Sequence, residues 1–204
     1  MGVTVLVAGA GEERAHGALG PAVLDACGAL GAEIASCEIL TEGDHQPVEE
    51  EELARVFARA LGEEPALDLL AVDAAGVFAA AQAQEPDEQA ALRVCMQACW
   101  GATRAAAKVA FLAREPPAGR IVYLAPHARA GSLAPAVGAG LENLARTLSI
   151  EWARHQITPV AILPGAGQAT EGAASLAREA AALTAYLASP AGAYFSGCAL
   201  ELGG

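Results

Sequence analysis

Hydrophobic and polar positions alternate along the chain in blocks whose period changes between strand-like and helix-like. Aliphatic runs such as VTVLVAG (3–9) and RIVYLAP (120–126) end at glycine or proline and predict buried strands. Longer segments such as VEEEELARVFARALG (48–62) have helical spacing, with glutamates in the first turns, where the helix dipole favours them. The predicted strands are 3–9, 32–40, 67–76, 120–126, 157–163 and 198–202, and the predicted helices are 21–31, 48–62, 88–113, 135–154 and 172–188.

This order of elements predicts an α/β protein. Strands that alternate with helices of this length form right-handed βαβ units, and these build a parallel sheet with helices on both faces. We therefore expect a doubly wound, Rossmann-like sheet of about six strands. No internal repeat, low-complexity tract or linker interrupts the sequence, so residues 1–204 are predicted to form one domain.

Composition and charge exclude several classes of partner. The net charge is −12 with only twelve basic residues, whereas nucleic acids and anionic membranes both require a basic surface. No apolar run approaches the roughly 18 residues that span a bilayer. The start MGVTVLVAGAG lacks a basic stretch and predicts a first strand rather than a signal peptide. We expect a cytoplasmic protein.

The remaining reactive side chains suggest no site of their own. The five cysteines have no paired spacing and are expected to be reduced thiols. Cys95 and Cys99 share a helix face, but no histidine is near them in sequence, so the ligand set for a metal is incomplete and no metal is expected. Ser132 has no nucleophile elbow around it and is expected to be a loop serine. The histidines are expected at the surface: His16, His45, His127 and His155.

From about residue 67 to the end, the chain resembles the short-chain dehydrogenase/reductase family. The segment LDLLAVDAAG resembles that family's LDxLVNNAG strand, and GRIVYLAP resembles its GxIVNISS strand. AGLENLARTLSIEWARHQITPVAILPG is similar to its helix, strand and Pro-Gly turn, and LTAYLASPAGAYFSGCALELGG is similar to its closing segment. The resemblance covers about two thirds of the chain in the family's order and implies the fold of NAD(P)-dependent dehydrogenases.

The family's chemistry requires Asn, Ser, Tyr and Lys, and the resemblance implies where they would lie. The Asn position falls on Cys95, the Ser position on Ala125 or Pro126, the Tyr position on Ala134 and the Lys position on Gly138. The short loop between the Ser and Tyr positions leaves the first two assignments open to a shift. We therefore predict no catalytic residues in this chain.

The content of lysine and tyrosine agrees with this prediction without any alignment. Lys108 is the only lysine, and it lies on the long predicted helix. The tyrosines are Tyr123, Tyr186 and Tyr194, and none begins a Y-x-x-x-K motif. No other place in the sequence therefore restores the local pair.

The cofactor-binding regions also depart from the family's pattern. The family binds pyrophosphate at a TGxxxGxG turn, but AGAGEERAHGALGP has stretched glycine spacing and places Glu12 and Glu13 where a phosphate would approach. Two interpretations stay open: a remodelled nucleotide loop, or a glycine-rich surface turn. Between strand 32–40 and helix 48–62 the family has a further helix and strand that are missing here, and Glu38 is an ambiguous remnant of the family's acidic position. The mobile lid that the family carries between Pro164–Gly165 and Leu187 is nearly absent. We expect no cofactor in this chain.

The helix at 88–113 has more apolar surface than one buried face requires. Arg93, Gln97, Arg104 and Lys108 fall within about 60° on a helical wheel, while most other positions are apolar. Trp100 and Phe111 lie at or beside this polar stripe, where a monomer would leave them exposed. The family uses this helix and the next in a four-helix subunit interface, and its C-terminal segment in a second contact. The expected partner-contact residues are Met96, Trp100, Phe111, Leu148 and Trp152.

These observations predict a catalytically inactive homologue. We expect it to serve as a structural or regulatory subunit beside an active short-chain dehydrogenase, in a heterotetramer whose active partner binds NAD. Two alternatives stay open: a divergent NAD(P)-dependent oxidoreductase with unconventional residues, and a stand-alone binding module.

Overall fold

Six parallel strands form one twisted sheet in the order β2-β1-β3-β4-β5-β6. The computed structural model describes residues 2–11, 17–42, 46–62, 66–85, 87–165 and 172–203. The strands are β1 (Thr4–Gly9), β2 (Glu33–Glu38), β3 (Leu69–Val72), β4 (Gly119–Leu124), β5 (Ile157–Pro164) and β6 (Cys198–Leu202). The predicted α/β class and doubly wound parallel sheet are confirmed.

Helices cover both faces of this sheet. They are α1 (Gly20–Ala29), α2 (Glu50–Leu61), α3 (Ala74–Gln84), α4 (Glu88–Ala106), α5 (Ala134–Glu151) and α6 (Gly172–Ala188). A π-helical turn, Ala107–Phe111, continues α4. Residues from α2, α3, α4 and α5 form the core on one face with Leu6 and Ala8 of β1. Residues of α1 and α6 form the core on the other face with Val5 and Val7. Burial on both faces explains the continuous apolar runs in the central strands.

β2 is an outer strand of this sheet. Among the described residues it pairs only with β1, from Thr4↔Glu33 to Gly9↔Glu38. The Glu33 N–H donates to Val3 and the Ile39 N–H donates to Gly9, both at 2.9 Å. Because these bonds alternate along a strand, Ala35 and Cys37 also face β1, whereas Ile34, Ser36 and Glu38 direct their backbone groups outward. The predicted truncation after β2 therefore appears as an exposed edge.

The predicted strand 67–76 ends at Val72, and the residues after it begin a helix that the sequence did not indicate. Asp73 caps α3 by accepting a 3.0 Å hydrogen bond from the Gly76 N–H. Nearly every residue from Ala74 to Ala81 is buried, so α3 lacks the polar face that gives a helix its sequence period. An apolar run of this kind does not distinguish a strand from a buried helix.

Phe111 is buried, which contradicts the prediction that it is exposed beside the polar stripe. Its exposed fraction is 0%. In the π-helical turn the Leu112 N–H donates to Ala107, five residues back, so the helical register shifts relative to an α-helix. The Phe111 ring then packs on the backbone of Gly119, where no Cβ fits.

Candidate active site and cofactor pocket

Three of the four family positions line one cavity beyond the carboxyl ends of β4 and β5. This cavity has a volume of 330 Å³ and contains Pro126, Ala134 and Gly138, held by the loop after β4 and the first turns of α5. Its other described lining residues are Ala125, Ala128, Pro135, Ala139, Glu142, Leu163, Pro164, Gly165 and Glu201. Ligands of open α/β sheets bind at this edge of the sheet.

The side chains of this cavity offer little chemistry. Among its described lining residues, Glu142 and Glu201 are the ones that ionise, and no lining side chain has a hydroxyl, thiol or amine. Glu142 forms an ion pair with Arg146, one turn later on α5, at 2.6 Å. Hydride transfer to a carbonyl requires a group that delivers a proton to the oxygen. Among the described lining residues, only the two carboxylates could be such a group.

Glu88 fixes the loop that leads into this cavity. Its carboxylate accepts hydrogen bonds from the Ser132 hydroxyl at 2.5 Å and from the Leu133 N–H at 2.9 Å. The hydroxyl bond from Ser132, followed by the backbone N–H bonds of Ser132 and Leu133, lowers the pKa of Glu88. Ser132 therefore has a structural partner, in agreement with the prediction of a loop serine.

Packing does not require glycine at position 138. A Cβ built there would lie 3.6 Å from Leu163 Cδ2, an ordinary van der Waals distance. Glycine in a helix interior costs roughly 1 kcal/mol relative to alanine. The position therefore has room for the base of a side chain that the sequence does not supply.

Cys95, the fourth family position, lies away from this cavity. It is fully buried on α4, and its thiol donates to the carbonyl of Ala74 at 3.5 Å. The side-chain hydrogen bond that the Cys95 thiol shares with Cys99, followed by burial, raises the pKa of Cys95 well above its usual value. No group of three or more metal-ligating side chains occurs among the described residues, so this pair lacks a third ligand there. Such thiols are unreactive.

The tyrosines and the single lysine do not meet in this cavity. Tyr123 is fully buried, and its hydroxyl lies 2.8 Å from that of Thr103. Burial raises the pKa of Tyr123 far above its ordinary value. Tyr186 and Tyr194 are exposed near the C-terminal end, and Lys108 is exposed on the π-helical turn. None of these residues lines the cavity at Ala134 and Gly138.

A second cavity of 440 Å³ lies where the family holds its dinucleotide. It is formed by the ends of β1 and β2 and by the faces of α1 and α2 that overhang β2. Its described lining residues are Val7, Gly9, Ala10, Gly11, Ala18, Gly20, Pro21, Leu24, Ser36, Cys37, Glu38, Val56, Arg59, Ala60 and Asp73. Glu12 and Glu13, predicted to oppose a phosphate, lie outside the described residues.

Asp73 places a carboxylate at the N-terminus of α1. Its Oδ2 accepts from the Gly20 N–H at 2.9 Å and from the Leu19 N–H at 3.1 Å, and Oδ1 accepts from Gly76. A helix N-terminus binds anions through such free N–H groups. In this chain the amides of Leu19 and Gly20 already have an internal carboxylate as acceptor.

Opposing influences act on the ionisation of Asp73. Burial raises the pKa of its carboxyl, and this is the largest effect; the N–H bonds from Gly76, Gly20 and Leu19 act in the opposite direction. Sequence reasoning did not identify Asp73 as a functional residue. The signal was the second acid of LDLLAVDAAG, which follows directly after a buried strand.

The acidic remnant predicted at Glu38 belongs to this second cavity. Its side chain packs against Gly11, so a Cβ at Gly11 would collide with it. Beside it, burial and then the charge of Glu38 raise the pKa of the Cys37 thiol to about 12. With Asp73, the described lining of this cavity has two carboxylates and one arginine, Arg59. This balance does not favour a pyrophosphate.

The predicted partner-contact residues divide into exposed and buried groups. Trp100 is 39% exposed on α4, while Met96 and Trp152 are partly buried against the core. Leu148 is 1% exposed on the inner side of α5, so the prediction that it contacts a partner is wrong, as it is for Phe111. Both side chains pack in the core of this chain and have no surface left for a partner. Ile150, 80% exposed on α5, was not predicted.

Among the described residues, no helix combines the length and the apolar character that crossing a membrane requires. No family model matches the chain, and no curated protein matches it.

Solved structures match the fold along nearly the whole chain. A short-chain dehydrogenase/reductase from Serratia marcescens has 19% identity and a TM-score of 0.70, with 99% of this chain and 96% of that chain covered. A short chain dehydrogenase from Mycobacterium smegmatis has 20% identity and a TM-score of 0.70, with coverage of 100% and 92%. BdcA (YjgI) from E. coli has 21% identity and a TM-score of 0.61, with coverage of 99% and 98%. The chain therefore has the fold of short-chain dehydrogenase/reductases.

Proposed function

We propose that this chain is a member of the short-chain dehydrogenase/reductase family that has lost catalysis and acts as a structural or regulatory subunit. Its partner is an active NAD(P)-dependent homologue, which holds the NAD of the complex. The observation that carries the proposal is the cavity at Pro126, Ala134 and Gly138. The family positions for Ser, Tyr and Lys come together there, and none carries a group that transfers a proton.

The loss of this proton transfer has a large expected effect. A positioned acid or base contributes roughly 10²- to 10⁴-fold to rate. In the family, the lysine charge lowers the pKa of the tyrosine hydroxyl, and neither residue has a substitute at this place. Glu142 is already paired with Arg146, which leaves Glu201 as the least constrained ionisable group of the described lining.

The cofactor side supports the same proposal. The N–H groups of Leu19 and Gly20 donate to Asp73 at the start of α1, so a pyrophosphate would have to compete with a buried carboxylate. Glu38 adds a second carboxylate to the same cavity. Like charges at about 4 Å repel by roughly 4 kcal/mol at the effective dielectric of a protein surface. The chain alone is therefore proposed to bind no NAD(P).

The surface that would serve assembly is formed by α4 and α5. Trp100, Leu112 and Ile150 are large apolar side chains exposed on these elements. Isolated exposed apolar residues are common, but a tryptophan beside an arginine is typical of interface anchors. We propose a hetero-oligomer, most simply a heterotetramer in the cytoplasm. The chain resembles the inactive subunit of the two-subunit alcohol dehydrogenase of anaerobic toluene degradation, 2-[hydroxy(phenyl)methyl]succinyl-CoA dehydrogenase, and a hydroxyacyl-CoA is the proposed substrate class of the complex.

The 440 Å³ cavity is the observation that favours the alternatives. The chain would then be either a stand-alone binding module or a divergent oxidoreductase, with its ligand or cofactor in this cavity. The cavity is large enough for a small ligand and has mostly apolar walls. A divergent enzyme would depend on Glu201 or Glu142 as its acid or base. Replacing the carboxylate that acts by glutamine would then abolish turnover, whereas the isolated inactive subunit would show no turnover with or without the replacement.

Co-expression with an active short-chain dehydrogenase homologue from the same organism tests the proposal. A tag on this chain should retain the untagged homologue at a one-to-one ratio, and the complex should oxidise a hydroxyacyl-CoA with NAD. Calorimetric titration of the isolated chain with NADH should show no binding up to millimolar cofactor. Binding of NADH by the isolated chain, or a homologue that never co-purifies, would contradict the proposal.

A further inference from the structure

The outward face of α4 carries a stripe of positive charge. Arg93, Arg104 and Lys108 are exposed, together with Gln97 and Trp100, and they recur over successive turns. The stripe spans an arc of about 80° and extends for about 22 Å along the helix. From Arg93 to Lys108, α4 and its π-helical turn contain no acidic residue. We call these five residues the α4 stripe.

This concentration of charge is unusual for the chain. The whole sequence has 24 acidic and 12 basic residues, yet three basic side chains lie on one helix face. Within the described residues, Arg104 forms an ion pair with Glu50 of α2 at 2.9 Å, and neither Arg93 nor Lys108 forms one. The stripe therefore keeps a net positive charge on a strongly negative molecule.

Apolar groups accompany the charges. The Arg104 guanidinium lies 5.8 Å from the centre of the Trp100 ring, and Leu112 is 42% exposed. A groove of 450 Å³ is lined by Leu112 and Trp152, by the cations Arg104 and Lys108, and by Glu50, the ion-pair partner of Arg104. An apolar centre bordered by cations complements an amphipathic helix whose rim carries Asp and Glu.

We infer that the α4 stripe docks an acidic helical face of a different subunit and disfavours a second copy of this chain. In a two-fold dimer whose axis crosses this helix face, the face meets its own copy, so Arg93, Arg104 and Lys108 would oppose the same three cations. Each such pair at about 4 Å is unfavourable by roughly 1 to 4 kcal/mol between bulk-water and surface dielectrics. Opposite an acidic helix, the same three cations are attracted rather than repelled.

The inference takes the identity of the partner from the proposed function, but the charge preference is a property of this chain alone. It states what the proposed function does not: which charge the partner presents, and why the chain pairs with another protein rather than with itself. Electrostatic complementarity of this kind mainly sets specificity.

A charge-reversed copy of this chain serves as the probe. In the variant Arg93→Glu/Arg104→Glu/Lys108→Glu, the same helix presents an acidic face on an otherwise identical protein. A fluorescently labelled variant is titrated with wild-type chain at low ionic strength and followed by anisotropy. We expect a dissociation constant at least tenfold lower than for wild type binding to labelled wild type, and loss of this difference in 0.5 M NaCl.

A matched control variant reverses three cations elsewhere: Arg55→Glu/Arg129→Glu/Arg178→Glu. All three side chains are exposed, and the change in net charge is the same. Circular dichroism and thermal melting check that both variants fold. Binding of the control within tenfold of the charge-reversed variant, or wild-type self-association as tight as the mixed pair, would overturn the inference. A chain that binds NADH but shows the charge preference would refute only the proposed function.

Discussion

The carboxylate of Asp73 accepts a hydrogen bond from the Gly20 N–H at 2.9 Å, and this contact joins the end of β3 to the first turn of α1. The same side chain accepts from Leu19 and Gly76 and is almost completely buried. One residue therefore caps two helices beneath the pocket that the fold normally gives to a dinucleotide. A role in the folded structure, rather than in ligand binding, explains its position.

Replacement of Asp73 by alanine should destabilise the protein strongly. Three buried N–H groups would lose their acceptor, and each such group costs about 1–3 kcal/mol. We expect a loss of at least about 3 kcal/mol for Asp73→Ala in urea unfolding, and a smaller loss for Asp73→Asn, because the amide oxygen still accepts. Equal losses for the two variants would show that hydrogen-bond acceptance is not the role of this side chain.

The pH dependence of stability should reveal the ionisation of Asp73. Burial raises its pKa in the folded protein, so the folded state holds a proton that the unfolded chain releases near pH 3.9. The wild-type chain should therefore lose stability relative to Asp73→Asn as the pH rises above about 4, until the folded-state pKa is passed. Unfolding free energies of both proteins from pH 3 to pH 8 measure this. A difference with the opposite slope would mean that the N–H donors outweigh burial.

Gly138→Ala should stabilise the protein by about 1 kcal/mol, because alanine restricts the unfolded chain and the Cβ meets only Leu163 at 3.6 Å. Gly140→Ala on the same helix is the control. There the Cβ would lie 3.0 Å from Met96 Cε, so the gain should be smaller or absent. Thermal unfolding measures both. Destabilisation by Gly138→Ala would show that glycine is required at the former lysine position.

Proline substitutions on β2 should distinguish its two sides. Ser36 directs its N–H away from the sheet, whereas Cys37 directs its N–H towards β1. Ser36→Pro should therefore cost about 1 kcal/mol or less, and Cys37→Pro about 3 kcal/mol or more, since it removes a ladder bond. Chemical denaturation compares them. A severe loss for Ser36→Pro would show that another segment pairs with β2 in solution.

Trp100→Ala should weaken the complex with the active subunit without unfolding the chain. The indole is 39% exposed on α4, and central aromatic residues at interfaces contribute about 2 kcal/mol or more when truncated. We expect at least a tenfold weaker dissociation constant by calorimetry. Leu30→Ala is the control, because this side chain is 76% exposed at the end of α1, which packs on the opposite face of the sheet from α4. Equal affinities for the two variants would place the interface elsewhere.

The sequence predicted the sheet well because each strand is a separate apolar run between turn residues. It predicted β3 too long and missed α3 because Ala74 to Ala81 are nearly all buried and no periodicity distinguishes them. The cavity positions Pro126, Ala134 and Gly138 followed from order along the chain, whereas Cys95 lies in the core instead. The first two positions depended on loop length, which sequence does not fix.

A local change of helical register and contacts between distant residues account for what the sequence could not predict. Phe111 turns inward because a π-helical turn shifts the register after Ala107, and hydrophobic periodicity assumes an uninterrupted α-helix. The role of Asp73 depends on Gly20, 53 positions away, which no local pattern contains. The residues expected at a partner interface could be assigned to two helices but not sorted into exposed and buried ones.

Hydride transfer by the purified chain alone tests the central claim most directly. The chain, freed of any co-purified dehydrogenase, is incubated with a hydroxyacyl-CoA and NAD, and formation of NADH is followed at 340 nm beside the reconstituted complex. The account predicts no NADH above the rate without protein for the isolated chain, and turnover for the complex. Turnover by the isolated chain that Glu201→Gln abolishes would contradict it.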